Sequence, residues 1–238
     1  MIRAAALRVL FAAGMLAGLV VAIFIFFRSL ARGARAFHAD GTMCRAEVTA
    51  LDADVGPRLA GGARVRLSGS SEPENSPAQT ILGMAIELGT DQDLPLATFE
   101  SFLHAAEATR DTDVADYLAN QYSSVAPWRV RGLGIVWMRA MPTAQPEATG
   151  TRVERLDAAI AAGRAKFTLE ARDAPGADGA VRARVAELRL TERLPADDPA
   201  FRISMFRTAR ELVPTGFRNG IRAVAYPTSQ LARRLRGG

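Results

Sequence analysis

Val9 to Phe27 is an unbroken run of 19 residues without a charge, Val-Leu-Phe-Ala-Ala-Gly-Met-Leu and onward to Phe-Ile-Phe-Phe. As a helix it extends about 28 Å, close to the thickness of a bilayer's hydrocarbon core. Such a run must be covered by lipid or by protein. The competing reading, a cleaved leader, fits less well. Its apolar region is longer than the usual ~7–15 residues and ends in bulky Phe24, Phe26 and Phe27, and the one small-x-small site is Ala34-Arg35-Ala36. The segment is therefore read as a retained anchor, residues 1–34 with the membrane helix at about 9–27, ahead of one folded unit over 35–238.

Charge supports the division. The first 35 residues hold Arg3, Arg8, Arg28, Arg32 and Arg35 and no acid, so they supply all of the +5 net charge and leave 25 basic against 25 acidic residues for the rest. A nucleic-acid binder would carry its basic excess on the folded part, so that class is set aside. Arginines on both flanks leave the positive-inside count close to a tie. The expected localisation is a single-pass protein of a bacterial inner membrane, the periplasmic side slightly ahead for the folded unit. Cys44 stands alone, which rules out an intrachain disulfide, and the two histidines are too few for a structural zinc or multi-histidine iron site. A transition metal would have to bring most of its own ligands, as the iron of a haem does.

Alternating stretches predict strands at 45–53, 63–69, 83–88, 133–141, 166–173 and 184–193, parted by turn-rich segments such as Gly61-Gly62 and Pro175 to Gly179. Helical patterns fall at 97–110, 112–121, 152–162, 204–213 and 220–235, with Pro227 expected to kink the last or to set its first turn. Long strands with few crossover helices predict the α+β class, with a largely antiparallel sheet, curled or closed.

Four stretches carry candidate chemistry. The first is Arg35-Ala36-Phe37-His38-Ala39-Asp40-Gly41. The second is Ala63-Arg64-Val65-Arg66-Leu67-Ser68 followed by Leu82-Gly83-Met84-Ala85-Ile86-Glu87-Leu88, where period-2 placement puts Arg64, Arg66 and Ser68 on one face. The third is Thr98-Phe99-Glu100-Ser101-Phe102-Leu103-His104. The fourth is Ile221-Arg222-Ala223-Val224-Ala225-Tyr226-Pro227 continuing to Arg233, in which residues 222, 226 and 233 share a helical face. Each alone has an ordinary reading: a surface histidine, a solvated strand face, core phenylalanines, a basic terminal helix.

Together, and in this order, the four stretches resemble the haem catalases, in particular the small catalase-related peroxidase branch. Asn120 to Ser124 with Pro127-Trp128 also resembles a tyrosine-serine-proline segment of that branch. The resemblance covers residues 35–142 and 184–236 and is absent across 143–183. It implies a catalase-like β-barrel core with flanking helices and haem b as cofactor. Tyr226 would be the iron ligand. Arg35, Arg66, Phe99, Arg222 and Arg233 would contact the haem, His38 and Ser68 would be the catalytic pair, and His104 a supporting residue. An adjacent guanidinium favours the ligating phenolate, which is the part Arg222 would take toward Tyr226.

The activity so implied is a peroxidase-like or catalase-like oxidoreductase acting on hydrogen peroxide or organic peroxides, a defence against oxidative stress at the membrane. Its partners would be the peroxide, an organic electron donor and, through the anchor, lipid; an oligomer is left open. One departure stands out. The asparagine that catalases carry after the second strand of the pair has no counterpart, since Asp93 runs through Leu94-Pro95-Leu96-Ala97 toward Phe99. Two alternatives follow: a haem-binding sensor or carrier with little turnover, and a non-enzymatic envelope protein.

Overall fold

The computed structural model describes residues 2–70, 73–100, 105–143, 149–175, 179–194, 198 and 201–236. Eight antiparallel strands close into a barrel: β1 (Thr42–Ala50), β2 (Gly61–Gly69), β3 (Leu82–Leu88), β4 (Gln92–Ala97), β5 (Tyr122–Ser123), β7 (Gly134–Pro142), β8 (Lys166–Arg172) and β9 (Val181–Arg193). The pairing of β1 with β9 completes the ring, which is thinnest between β4 and β5, where a single residue pair joins the two strands. Two short strands, β6 (Trp128–Val130) and β10 (Leu212–Pro214), extend from β7. The class is α+β, as the alternation implied.

Register decides which side of the wall each residue faces. Val65 pairs with Ile86 and Ile86 with Leu94, while Leu67 pairs with Met84 and Met84 with Leu96. These six side chains belong to the barrel's apolar core. The alternate residues face outward in two rows, Arg66 beside Ala85 and Pro95, and Ser68 beside Gly83 and Ala97. Strand β4 escaped the sequence pattern because all six of its residues are buried, so no polar-apolar alternation exists to read. Its Pro95 is tolerated because β5 pairs with β4 only at Ala97.

Five helices flank the barrel: α1 (Ile2–Arg32), α2 (Gly56–Leu59), α3 (Ala105–Asp111), α4 (Arg152–Ala161) and α5 (Gly216–Leu235). Helix α4 starts on a capping box, Thr151 with Glu154. Three helix expectations are corrected. Residues 97–110 split into the end of β4, a bend, and α3 from 105 onward; residues 101–104, including His104, lie outside the described residues. Residues 112–121 hold one 3-10 turn, Tyr117–Ala119, because Asn120 bonds back to the Asp113 amide and to the carbonyls of Asp113 and Asp116. Residues 204–213 form turns leading into β10, drawn out of helix by Asp93, which accepts from the Ser204 amide, and by the bridge between Gln92 and Thr208. Helix α5 continues through Pro227.

Helix α1 packs along α5 in parallel: Gly14 lies against Phe217, Gly18 against Ile221, and the Ser29 and Ser229 hydroxyls meet at 2.8 Å. The approach needs glycine. A Cβ on Gly14 would fall 1.9 Å from the Phe217 carbonyl oxygen, and one on Gly220 2.1 Å from that of Phe11. Helix α1 is long and apolar enough to cross a membrane.

Candidate functional site

The outward rows of β2, β3 and β4 form the floor of a cavity of about 650 Å³, roofed by α5 and closed at the sides by α1, the 35–38 segment, α3 and residues 201–203. The room comes from small side chains. Gly83, Ala85 and Ala97 stand where larger residues would fill the space between the wall and α5.

His38 is held over this floor. Its backbone adopts φ 54°, in the left-handed region that non-glycine residues seldom occupy, and its amide donates to the Ser70 carbonyl at 2.8 Å. That turn aims the imidazole at Gly83, so closely that a Cβ there would lie 2.7 Å from the ring Cε1. Nδ1 lies 3.0 Å from the Ser68 hydroxyl. The residue is half-buried in the cavity wall, and desolvation together with the guanidinium of Arg66, then those of Arg222 and Arg35, lowers its pKa to about 4, although a hydrogen bond with Ser68 works the other way. The imidazole is thus neutral at physiological pH, with Nδ1 engaged and Nε2 left for a proton.

The opposite wall comes from α5. Ile221, Arg222, Ala225, Tyr226, Ser229 and Arg233 line the cavity at spacings of one helical stripe. Helix α5 is fixed by the carbonyls of the 124–127 segment. Ser124 accepts from Arg222 at 3.0 Å, Val125 from Arg218 at 3.2 Å, and Pro127 from Asn219 and from the Thr215 hydroxyl. The guanidinium of Arg222 also donates to Asn219 Oδ1, so these bonds go to the α5 seat rather than to the Tyr226 phenol.

Arg35, His38, Arg66, Ser68, Phe99, Arg222, Tyr226 and Arg233, eight residues from separate parts of the chain, all line this one cavity. Arg35 donates to the Phe201 carbonyl and Arg66 to that of Ala39. Arg64, one turn of the pleat from Arg66, instead joins an ion-pair group with Glu87 and Asp198. Sequence reasoning did not single out Arg202, whose buried Nε has no hydrogen-bond partner among the described residues, nor Gly83, Ser229 and Gln230. Gly83 and Ala85 carried a usable signal, two small residues at alternate positions of a strand otherwise bulky. Arg202 carried none, because nothing in its local sequence marks a return to a distant wall.

The arrangement has a distinct electrostatic character. Five arginines and no carboxylate line the cavity among the described residues, and no asparagine does. A buried cationic hollow with an apolar floor suits a flat, largely apolar molecule that carries anionic groups. A haem would meet those terms: its carboxylates would match the arginines, Tyr226 would offer the iron an oxygen, and the buried Nε of Arg202 finds no acceptor among the described residues.

No protein-family model matches the chain, and no curated protein sequence does. Among solved structures, the crystal structure of a fungal catalase superposes with a TM-score of 0.60 at 12% identity, covering 84% of this chain and 59% of the catalase chain. The chain spans about three fifths of the length of that catalase, and what the two share is a catalase-like barrel fold.

Proposed function

We propose that this protein is a haem-dependent oxidoreductase acting on hydrogen peroxide or organic peroxides, associated with a membrane through α1. The observation that carries the reading is the convergence on one arginine-lined cavity of an arginine-histidine pair, a strand arginine-serine pair and a helical arginine-tyrosine-arginine set. The fungal catalase supports it through the fold.

Ferric haem, when bound, supplies the iron at which the peroxide O–O bond is cleaved. Tyr226 would furnish a phenol oxygen to hold the iron, and Arg35, Arg66 and Arg233 would neutralise the propionates in a site where an unpaired carboxylate is costly. Phe99 would pack on the macrocycle. With Nδ1 protonated and donating to Ser68, His38 presents the Nε2 lone pair to the cavity. It would take the proton from one peroxide oxygen and return it to the departing one, so that water, or an alcohol from an organic peroxide, leaves and the imidazole ends neutral. A burial-lowered pKa of about 4 keeps it competent as a base through the neutral range.

The second reading, a haem-binding module with slow turnover, is favoured by one observation: among the described residues no asparagine lines the cavity to orient the peroxide. A missing donor of that kind costs roughly 10²-fold or more in rate.

An absorption spectrum of the haem-supplemented protein tests the proposal. Wild type is expected to show a Soret band that is lost or displaced in Tyr226→Phe. His38→Ala is expected to keep the band and lose peroxide reactivity by about 10²–10⁴-fold. A colourless protein, or equal turnover in His38→Ala and wild type, refutes it. Oxygen release against oxidation of an organic donor separates catalase from peroxidase, and slow turnover in both selects the second reading.

A further inference from the structure

We infer that the outer face of the α1–α5 pair seats this protein on the surface of an anionic lipid bilayer, with α1 lying in the membrane plane rather than crossing it. This rests on the two helices and not on the cofactor.

The first observation is where the exposed apolar side chains lie. Of the sixteen large hydrophobic residues that face solvent among the described residues, nine are on α1, among them Leu16, Leu19, Val20, Ile23, Phe24 and Phe27, and three, Phe217, Leu231 and Leu235, are on α5. A surface of this extent on one side of a molecule marks an interaction site.

The second observation is what lies beside α1. From Gly14 against Phe217 to Gly33 against Arg236, helix α5 accompanies the whole stretch that would span a bilayer. Helix α5 is tied to the barrel by Arg218 and Arg222, which donate to the Val125 and Ser124 carbonyls. The barrel is therefore held beside the helix pair through α5. Were α1 to cross the bilayer in this packing, α5, its arginines and the barrel wall would be drawn to hydrocarbon depth, where ionised groups are costly.

The third observation is charge. Arg3 and Arg8 near one end of the helix pair, and Arg32, Arg234 and Arg236 at the other, are exposed, and no acid occurs before Asp40. For a transverse helix, arginines on both flanks give conflicting orientation signals. For a helix in the plane, both ends sit in the headgroup layer and both sets meet anionic lipid. Val21 and Ile25 line the cavity while Ile23 and Phe24 face outward, so seated lipid would lie about one helix diameter, ~10 Å, from that cavity.

The test uses the full chain reconstituted into sealed vesicles of phosphatidylcholine with phosphatidylglycerol. Ala5 and Ala53 are exposed and the native Cys44 is buried, so the double variant Ala5→Cys/Ala53→Cys offers two reactive thiols, one at the start of α1 and one on the barrel. A membrane-impermeant maleimide is expected to yield molecules carrying both labels. A transverse helix, in whichever orientation, yields only singly labelled molecules, and that result overturns the inference. A stable dimer that buries Phe24 and ignores vesicles overturns it as well. Replacing Arg3, Arg8 and Arg32 by Gln is expected to lower partitioning onto phosphatidylglycerol vesicles by roughly 5-fold per residue. Unchanged partitioning refutes the choice of anionic lipid.

Discussion

His38 gives the most quantitative prediction, because burial and cationic neighbours act on it in the same direction. An ordinary histidine titrates near 6.5, and here the value falls to about 4. The gap corresponds to about 3 kcal/mol of preference for the neutral ring in the folded protein. Above pH 6.5 both folded and unfolded chains carry a neutral ring, so the stability contribution is complete. As the pH falls toward 4 the unfolded chain takes up a proton that the folded one refuses, and about 3 kcal/mol is lost across that window. The chain has two histidines, so ¹³C-labelled imidazole resonances are assignable with His104→Gln alone. The His38 resonance is expected to keep the neutral shift from pH 8 down to about 5 and to move only near 4. The wild type's unfolding free energy is expected to fall by about 3 kcal/mol more than that of His38→Gln between pH 7 and 4. A resonance midpoint between 6 and 7, or parallel stability profiles for the two proteins, refutes the burial argument.

Two further predictions concern close packing. Gly83→Ala sets a methyl 2.7 Å from the His38 ring and must displace it; peroxide turnover of the haem-loaded protein is expected to drop by roughly 10²-fold with the Soret band retained, since a displacement of about 1 Å at a reacting group costs that much. The 2.8 Å contact of Ser29 and Ser229 predicts that Ser29→Cys/Ser229→Cys cross-links under mild oxidation. Adding Gly14→Leu, whose Cβ would meet the Phe217 carbonyl, is expected to abolish the link by separating α1 from α5.

Local sequence was informative where chain geometry alone fixes direction. Alternation at Ala63 to Ser68 announced a strand with Arg66 and Ser68 on one side, and spacings of four and seven put Arg222, Tyr226 and Arg233 on one helical face. It misled where burial on both sides erased the alternation, at β4, and where side-chain bonds overrode helical propensity, at 112–121 and 204–213. The anchor was legible as a helix from composition, but its partner was not.

What the sequence by itself determined is the α+β class, most of the barrel strands, the long apolar helix and which residues share a face, because each follows from the two- and 3.6-residue periods of the backbone. Only the tertiary structure decided that those faces look into one cavity, that His38 lies over Gly83 in a left-handed turn, and that α1 runs the length of α5. The reason is physical: strand register and helix packing are set by which distant surfaces can approach without a Cβ between them, and no local pattern encodes the partner.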